Sequence, residues 1–216
     1  MILHPDELHD GQAGTEDGFH YSVAYVDPAR IQAVLGGRAL PFIEGGISDD
    51  PRLYRAVHNL LGDLGQEFGE LEYEDAIYDL AVALEEVSGQ AENSRRRFDY
   101  ASAELARLYI ASHLQDNINL DTLEKIAGRD RYKISRDFRA LYGTSPYRYL
   151  VMRRLEMARI MLAHGEPPAS VAIASSFSDQ SHFNRHFKKT YGQTPSQWLR
   201  TLQADNPVSN ASTPDS

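Results

Sequence analysis

"SFSDQSHFNRHFKKTYGQTPSQWL", residues 176–199, strings an acidic residue, a basic and amide-rich run, a Tyr-Gly stop and a Thr-Pro restart into two dozen positions. Each mark has a physical reason. Asp179 stands where a helix needs an N-cap acceptor for the free N–H groups of its first turn. Gly192 follows the run at the place where a left-handed residue ends a helix, and Thr194-Pro195 supplies a hydroxyl cap and a proline at the next first helical position. Between cap and stop, Phe183 and Phe187 recur at helical spacing and predict a buried stripe. Gln180, Ser181, His182, Arg185, Lys188 and Lys189 fall on the opposite face.

The unit occurs twice. Displaced by 49 residues, "ISRDFRALYGTSPYRYL" (134–150) lies over "FNRHFKKTYGQTPSQWL" (183–199), matching Arg136 to Arg185, Phe138 to Phe187, Tyr142 to Tyr191, Gly143 to Gly192, Pro146 to Pro195 and Leu150 to Leu199. Asp130 repeats the cap of Asp179. Ile134, Phe138 and Leu141 form the expected buried stripe of the first copy, and Arg131, Lys133, Ser135, Arg136 and Arg139 its polar face. Each copy follows a short helix: "NLDTLEKIAG", with Leu120, Leu123, Ile126 and Ala127 inward, and "PPASVAIASS", with Val171, Ala172 and Ala174 inward.

A short helix, a tight turn and a second helix with a polar leading edge form a helix-turn-helix, whose second helix enters the DNA major groove N-terminus first. Arg, Gln and Ser near that terminus suit base edges, and Lys and Arg farther along suit phosphates. The connecting helix, Pro146 to about Ala163, spans about 27 Å at 1.5 Å per residue, which sets two such helices about one DNA turn, roughly 34 Å, apart.

The charge agrees with this division. The chain of 216 residues has a formal charge of −9, which taken whole argues against a polyanion partner. Residues 1–100 hold 7 Lys/Arg against 20 Asp/Glu, whereas residues 101–203 hold 15 against 9. Only the second half attracts DNA. The absence of cysteine removes disulfides, zinc–thiolate sites and thiol nucleophiles. No stretch approaches the roughly 20 apolar residues of a membrane span, and "MILHPDELHDG" lacks the basic and apolar regions of a signal peptide, which predicts a cytoplasmic protein.

The front half is read from pattern alone. "FHYSVAYVD", 19–27, alternates large and small side chains between Gly18 and Pro28 and predicts a strand. Two helices are expected, Asp50–Phe68 with Leu53, Val57, Leu60, Leu61 and Leu64 on one face, and Glu72–Val87 with Ile77, Leu80, Ala81 and Leu84 on another. The polar stretch 88–102, where the charge changes sign, is the best linker, and "ADNPVSNASTPDS" is expected to be a disordered tail.

On "DQSHFNRHFKKTYGQTP" (179–195), "ISRDFRALYGTSPYRYL" (134–150) and "RRLEMARIMLAHGEPPASVA" (153–172), the chain resembles the AraC/XylS family of bacterial transcription regulators. The resemblance implies a mainly α fold: a seven-helix double helix-turn-helix domain over 103–203, preceded by a partial cupin-like effector and dimerisation domain over 1–90, with a linker at 91–102 and a tail at 204–216. It implies double-stranded DNA as partner, RNA polymerase as a second, a small-molecule effector at an incomplete pocket, a homodimer, no cofactor and no enzymatic activity. DNA contacts fall on Arg131, Tyr132, Ser135, Arg136 and Arg139, then on Gln180, Ser181, His182, Arg185 and Lys188. Met1 opens almost on the last strands of such a barrel, so the expectation is either a true start upstream of Met1 or a shortened protein with an incomplete barrel.

Three positions depart from the family. Glu124 stands where a small residue is usual, Arg129 where the turn is apolar, and Ser176 where Gly is usual; a left-handed Ser176 costs about 1 to 2 kcal/mol. Two other readings compete. One is a truncated interaction protein that pairs with full-length regulators; the other is a metal-dependent cupin enzyme using His4, Glu7 and His9, whose spacing is weak. His182 and His186 are four apart on one helix, but the sequence sets no Glu beside them, and DNA explains that face better than zinc. The basic face as mere solvated surface, the Leu53–Leu64 stripe as plain core and Arg95–Arg97 as a solvated linker are the bland alternatives. Phe138, Phe183, Phe187 and Trp198 are read as core.

Overall fold

A computed structural model of the chain describes residues 2, 21–61, 68–89 and 98–205. Among them run α1 (Pro28–Val34), α2 (Pro51–Leu61), α3 (Glu70–Val87), α4 (Tyr100–Ser112), α5 (Leu120–Ala127), α6 (Arg131–Tyr142), α7 (Pro146–Ala163), α8 (Pro168–Ala174), α9 (Gln180–Tyr191) and α10 (Pro195–Asp205). The protein is mainly helical, and α4 to α10 are the seven helices expected of the second half.

The expected punctuation positions the helices. Asp130 accepts from the N–H groups of Tyr132 and Lys133, each at 3.1 Å, and Asp179 from that of His182 at 2.8 Å. Gly143 (φ 67°) and Gly192 (φ 76°) are left-handed and end α6 and α9. Ser145 caps α7 through the Arg148 N–H at 3.1 Å, while Thr194 and Gln197 cap α10 reciprocally.

Three apolar clusters follow. Ile31, Leu53, Ile77, Leu80 and Ala81 join α1, α2 and α3. Ile110, Leu123, Ile134 and Phe138 join α4, α5 and α6 with Leu150 of α7. Leu155, Leu162, Val171, Phe183 and Phe187 join α7, α8 and α9. Helix α7 thus feeds both units, which fixes α6 relative to α9. Phe138, Phe183 and Phe187 have no exposed surface, and burying each contributes about 1.5 to 3 kcal/mol. Trp198 packs on Phe187 with ring centroids 5.9 Å apart.

Several expectations are corrected. Residues 21–27 form no strand; Tyr21, Val23 and Tyr25 are exposed, and a strand without a ladder partner has no hydrogen bonds to hold it. Positions 19 and 20, His4, Glu7, His9, Leu64, Arg95–Arg97 and the tail from 206 lie outside the described residues. Helix α1 was not anticipated; Asp27 caps it, accepting from the Ala29 N–H at 2.9 Å, with Pro28 in its first turn. The helix expected over Asp50–Phe68 is described as Pro51–Leu61, α3 begins at Glu70, and α4 begins at Tyr100 inside the expected linker. Ile126 and Leu141 are exposed rather than inward. At the end of α6 Tyr142, one turn after Phe138, takes the inward place with ring centroids 4.8 Å apart.

Ser176 has φ 58°, the left-handed conformation expected at the glycine position. Its hydroxyl donates to the Gln115 carbonyl at 3.2 Å, a partly compensating contact. Ser176→Gly relieves the strain and loses one exposed hydrogen bond, so a net gain of about 0.5 to 1 kcal/mol is expected in urea unfolding. Ser176→Ala keeps the strain and loses the bond; it should be less stable than wild type.

Candidate nucleic-acid interface

Helix α6 bears Arg131, Tyr132, Ser135, Arg136 and Arg139, and α9 bears Gln180, Ser181, His182, Arg185 and Lys188. Gln180, Ser181 and Lys188 are exposed and the arginines half-buried. Ser135 departs from its expected place on an open face, being only 3% exposed. It sits one turn from both Arg131 and Arg139, and both of those side chains are bridged to α3.

That bridge is the main feature missed from sequence. Helix α3 lays its acidic side across the basic sides of both units. Glu74 pairs with Arg131 at 3.2 Å, Asp75 and Asp79 pair with Arg139, and Asp79 also holds Arg148 at 2.5 Å. Glu72 lies 3.8 Å from each of Arg185, His182 and His186 of α9. Positions 72, 75 and 79 share one helical face. Leu71 inserts into the α4–α6 cluster, while Ile77, Leu80 and Ala81 stay with the front cluster, so α3 joins two apolar cores and an ionic seam. The Arg139 guanidinium also stacks over the Tyr78 ring at 4.0 Å. Burial pushes the Glu74 and Asp75 carboxyls above their ordinary range, outweighing the pull of Arg131 and Arg139 respectively. The seam is thus bought with desolvation.

A second network lies behind α6. Asp137 has no exposed surface, accepts from Arg136 Nε at 2.9 Å, from a terminal nitrogen of Arg136 at 2.7 Å and from the Asp99 N–H at 3.2 Å, and forms an ion pair with Arg129 at 2.9 Å. The atypical Arg129 is therefore explained: it neutralises a buried carboxylate. Arg136, expected on the open face, is turned back onto that carboxylate. Glu124, the other atypical residue, is satisfied by Arg131 Nε at 3.3 Å. The repeat relation was the available signal, since shifting Asp137 by 49 residues gives His186, so both copies place a polar group at this inward position.

A helix-turn-helix domain model matches residues 123–201, and an AraC-like ligand-binding domain model matches residues 1–81. The probable transcriptional regulator LumQ of Photobacterium leiognathi is 32% identical over 91 residues, covering 42% of this chain and 37% of LumQ. The transcriptional activator RhaS of Escherichia coli O81 (strain ED1a) is 26% identical over 191 residues, covering 81% of this chain and 66% of RhaS. The chain belongs to the AraC/XylS family. This AraC/XylS chain spans 37% of LumQ and just under two thirds of RhaS. The solved DNA-binding domain of the global transcriptional factor AdpA, in complex with a target DNA, is 24% identical, with 51% of this chain and 99% of that one covered and a TM-score of 0.46. No described helix is long and apolar enough to cross a membrane.

Proposed function

We propose that the chain is a sequence-specific DNA-binding transcription regulator that reads two adjacent major-groove segments with α6 and α9. The observation supporting this most is the duplicated unit of capped helix, left-handed glycine and recapped helix, with both copies clamped to the 18-residue α7. Base and phosphate contacts fall to Arg131, Tyr132 and Arg139 in the first unit, where Ser135 is buried and Arg136 is held by Asp137, and to Gln180, Ser181, His182, Arg185 and Lys188 in the second. The docked position of α3 engages several of these side chains, so reading DNA requires α3 to move. The ligand-binding match over residues 1–81 supports a front half that answers to a small-molecule effector, in a homodimer acting on RNA polymerase in the cytoplasm.

Selection of genomic fragments by the purified full chain tests this reading. A motif with two half-sites about one helical turn apart is expected. Arg185→Ala should reduce specific affinity by about 1 to 3 kcal/mol and relax one position, whereas Lys188→Ala should weaken all sequences and lower the salt slope by about one unit. Equal losses on selected and random DNA for Arg185→Ala would remove its base-reading role, and no enrichment would refute the function.

A further inference from the structure

The seam between α3 and α9 contains a group of three side chains that DNA recognition does not explain. One ligand atom from each of Glu72, His182 and His186 lies within 4.8 Å of the other two. The Glu72 carboxylate oxygens stand 3.8 Å from Nε2 of each histidine. The tautomer of His182 can be read from its neighbours. Ser178 Oγ donates to Asp179 Oδ2 at 3.2 Å, so it accepts from His182 Nδ1, 2.9 Å away. The proton of His182 is thus on Nδ1, and Nε2 presents a lone pair. That Nε2 is buried, has no hydrogen-bond partner and faces a carboxylate oxygen, a second acceptor. Two acceptors facing each other across 3.8 Å repel unless a cation or a bridging donor sits between them, and two imidazoles with a carboxylate suit a cation.

Arg185, 3.8 Å from Glu72, balances that charge without satisfying the imidazole. Neutral imidazole, with one ring nitrogen free as on His182, is the form that binds metal. Histidines four apart on one helix project to the same side.

The geometry points to a three-ligand site for a divalent transition-metal ion of the zinc class, held by Glu72, His182 and His186 and joining α3 to α9. Tetrahedral zinc with bonds of about 2.0 to 2.2 Å sets neighbouring donors about 3.3 Å apart, so a 3.8 Å approach of Glu72 to a histidine needs to close by about half an ångström and donors lying up to 4.8 Å apart by up to about 1.5 Å. The outer partners suit the role: Ser178 orients His182, and Tyr147 O–H, 3.2 Å from His186 Nε2, can turn its proton to Glu72 when that nitrogen binds metal. Two nitrogens and one oxygen leave the fourth position to water. Because the metal would hold α3 on α9 and engage His182, it competes with DNA; this regulatory consequence, unlike the site itself, rests on the function proposed above.

The test uses the full chain, stripped with chelator and titrated with Co²⁺ and Zn²⁺. One equivalent of Co²⁺ should give the visible absorption of a four-coordinate site, and Zn²⁺ should displace it and raise the melting temperature. With no cysteine in the chain, thiolate cannot contribute. Glu72→Gln, His182→Asn and His186→Asn should each weaken binding at least tenfold, and His4→Asn/His9→Asn should leave it intact. Absence of stoichiometric binding, or binding lost only in the His4/His9 variant, overturns the site. In the DNA arm, Zn²⁺ should weaken wild-type binding several-fold and leave Glu72→Gln unaffected. A chain that binds metal at these residues but no DNA keeps the site and loses the regulator; one that binds DNA but no metal does the reverse.

Discussion

Neutralising the acidic seam of α3 with Glu72→Gln, Asp75→Asn and Asp79→Asn is expected to tighten binding to double-stranded DNA by about 10- to 100-fold, a coupling of roughly 1.4 to 2.8 kcal/mol. The argument is competition. In the docked arrangement Arg131, Arg139 and Arg185 face carboxylates of α3, and a phosphate or base edge can engage them only after α3 leaves. If the open state is a fraction f of molecules, apparent affinity falls by f, so the effect corresponds to about 1 to 10% open chain. Docking at that level is poised rather than locked, because the ion pairs only partly offset the burial that pushes Glu74 and Asp75 upward. Removing three negative charges also strengthens attraction to DNA at long range. The control is therefore Glu44→Gln, Asp49→Asn and Glu86→Gln, exposed acids of equal charge in the front half. Fluorescence anisotropy at two salt concentrations measures both proteins. If the seam variant gains no more than the control, α3 does not compete with DNA.

The second half was legible because its signals are local. Caps at Asp130 and Asp179, left-handed glycines 143 and 192 and phenylalanine stripes act within one or two turns, so sequence spacing alone decides them. The strained Ser176 was visible for the same reason. The front half gave weaker signals. Asp27-Pro28 marks a helix start, yet the alternation of residues 19–27 drew attention to a strand whose existence depends on a partner outside the segment. The seam was not legible at all. Glu72 and Arg185 stand 113 positions apart, and nothing in either segment names the other. The opposite charges of the two halves are compatible with mutual attraction, but charge counts by segment do not say which carboxylate meets which arginine. Likewise the His182/His186 pair lacked a carboxylate in sequence and meets one only through the fold.

Asp137→Ala is expected to destabilise the α4–α7 unit by about 3 kcal/mol, since breaking a buried ion pair strands its partners. Arg129 pairs with this carboxylate, and three donations converge on it, two from Arg136 and one from the Asp99 N–H. The last anchors the residue that caps α4, because Asp99 accepts from the Ser102 N–H at 3.1 Å. Alanine thus loosens a helix start as well as a charge network. The magnitude is bounded from above by the arginines: the side chains of Arg129 and Arg136 are each 24% exposed and can swing toward water, so neither stays a buried unpaired charge. A double-mutant cycle separates these contributions. Arg129→Leu restores the apolar turn residue usual in the family but leaves Asp137 with Arg136 alone, and should cost about 1 kcal/mol or more. Adding Asp137→Ala to it should cost about 1 to 2 kcal/mol less than Asp137→Ala does in the wild type. Chemical unfolding followed by circular dichroism gives all four corners. Strict additivity would mean that Arg129 does not neutralise Asp137 in solution, and the reason for an arginine in this turn would then have to be its 3.6 Å approach to Asp99.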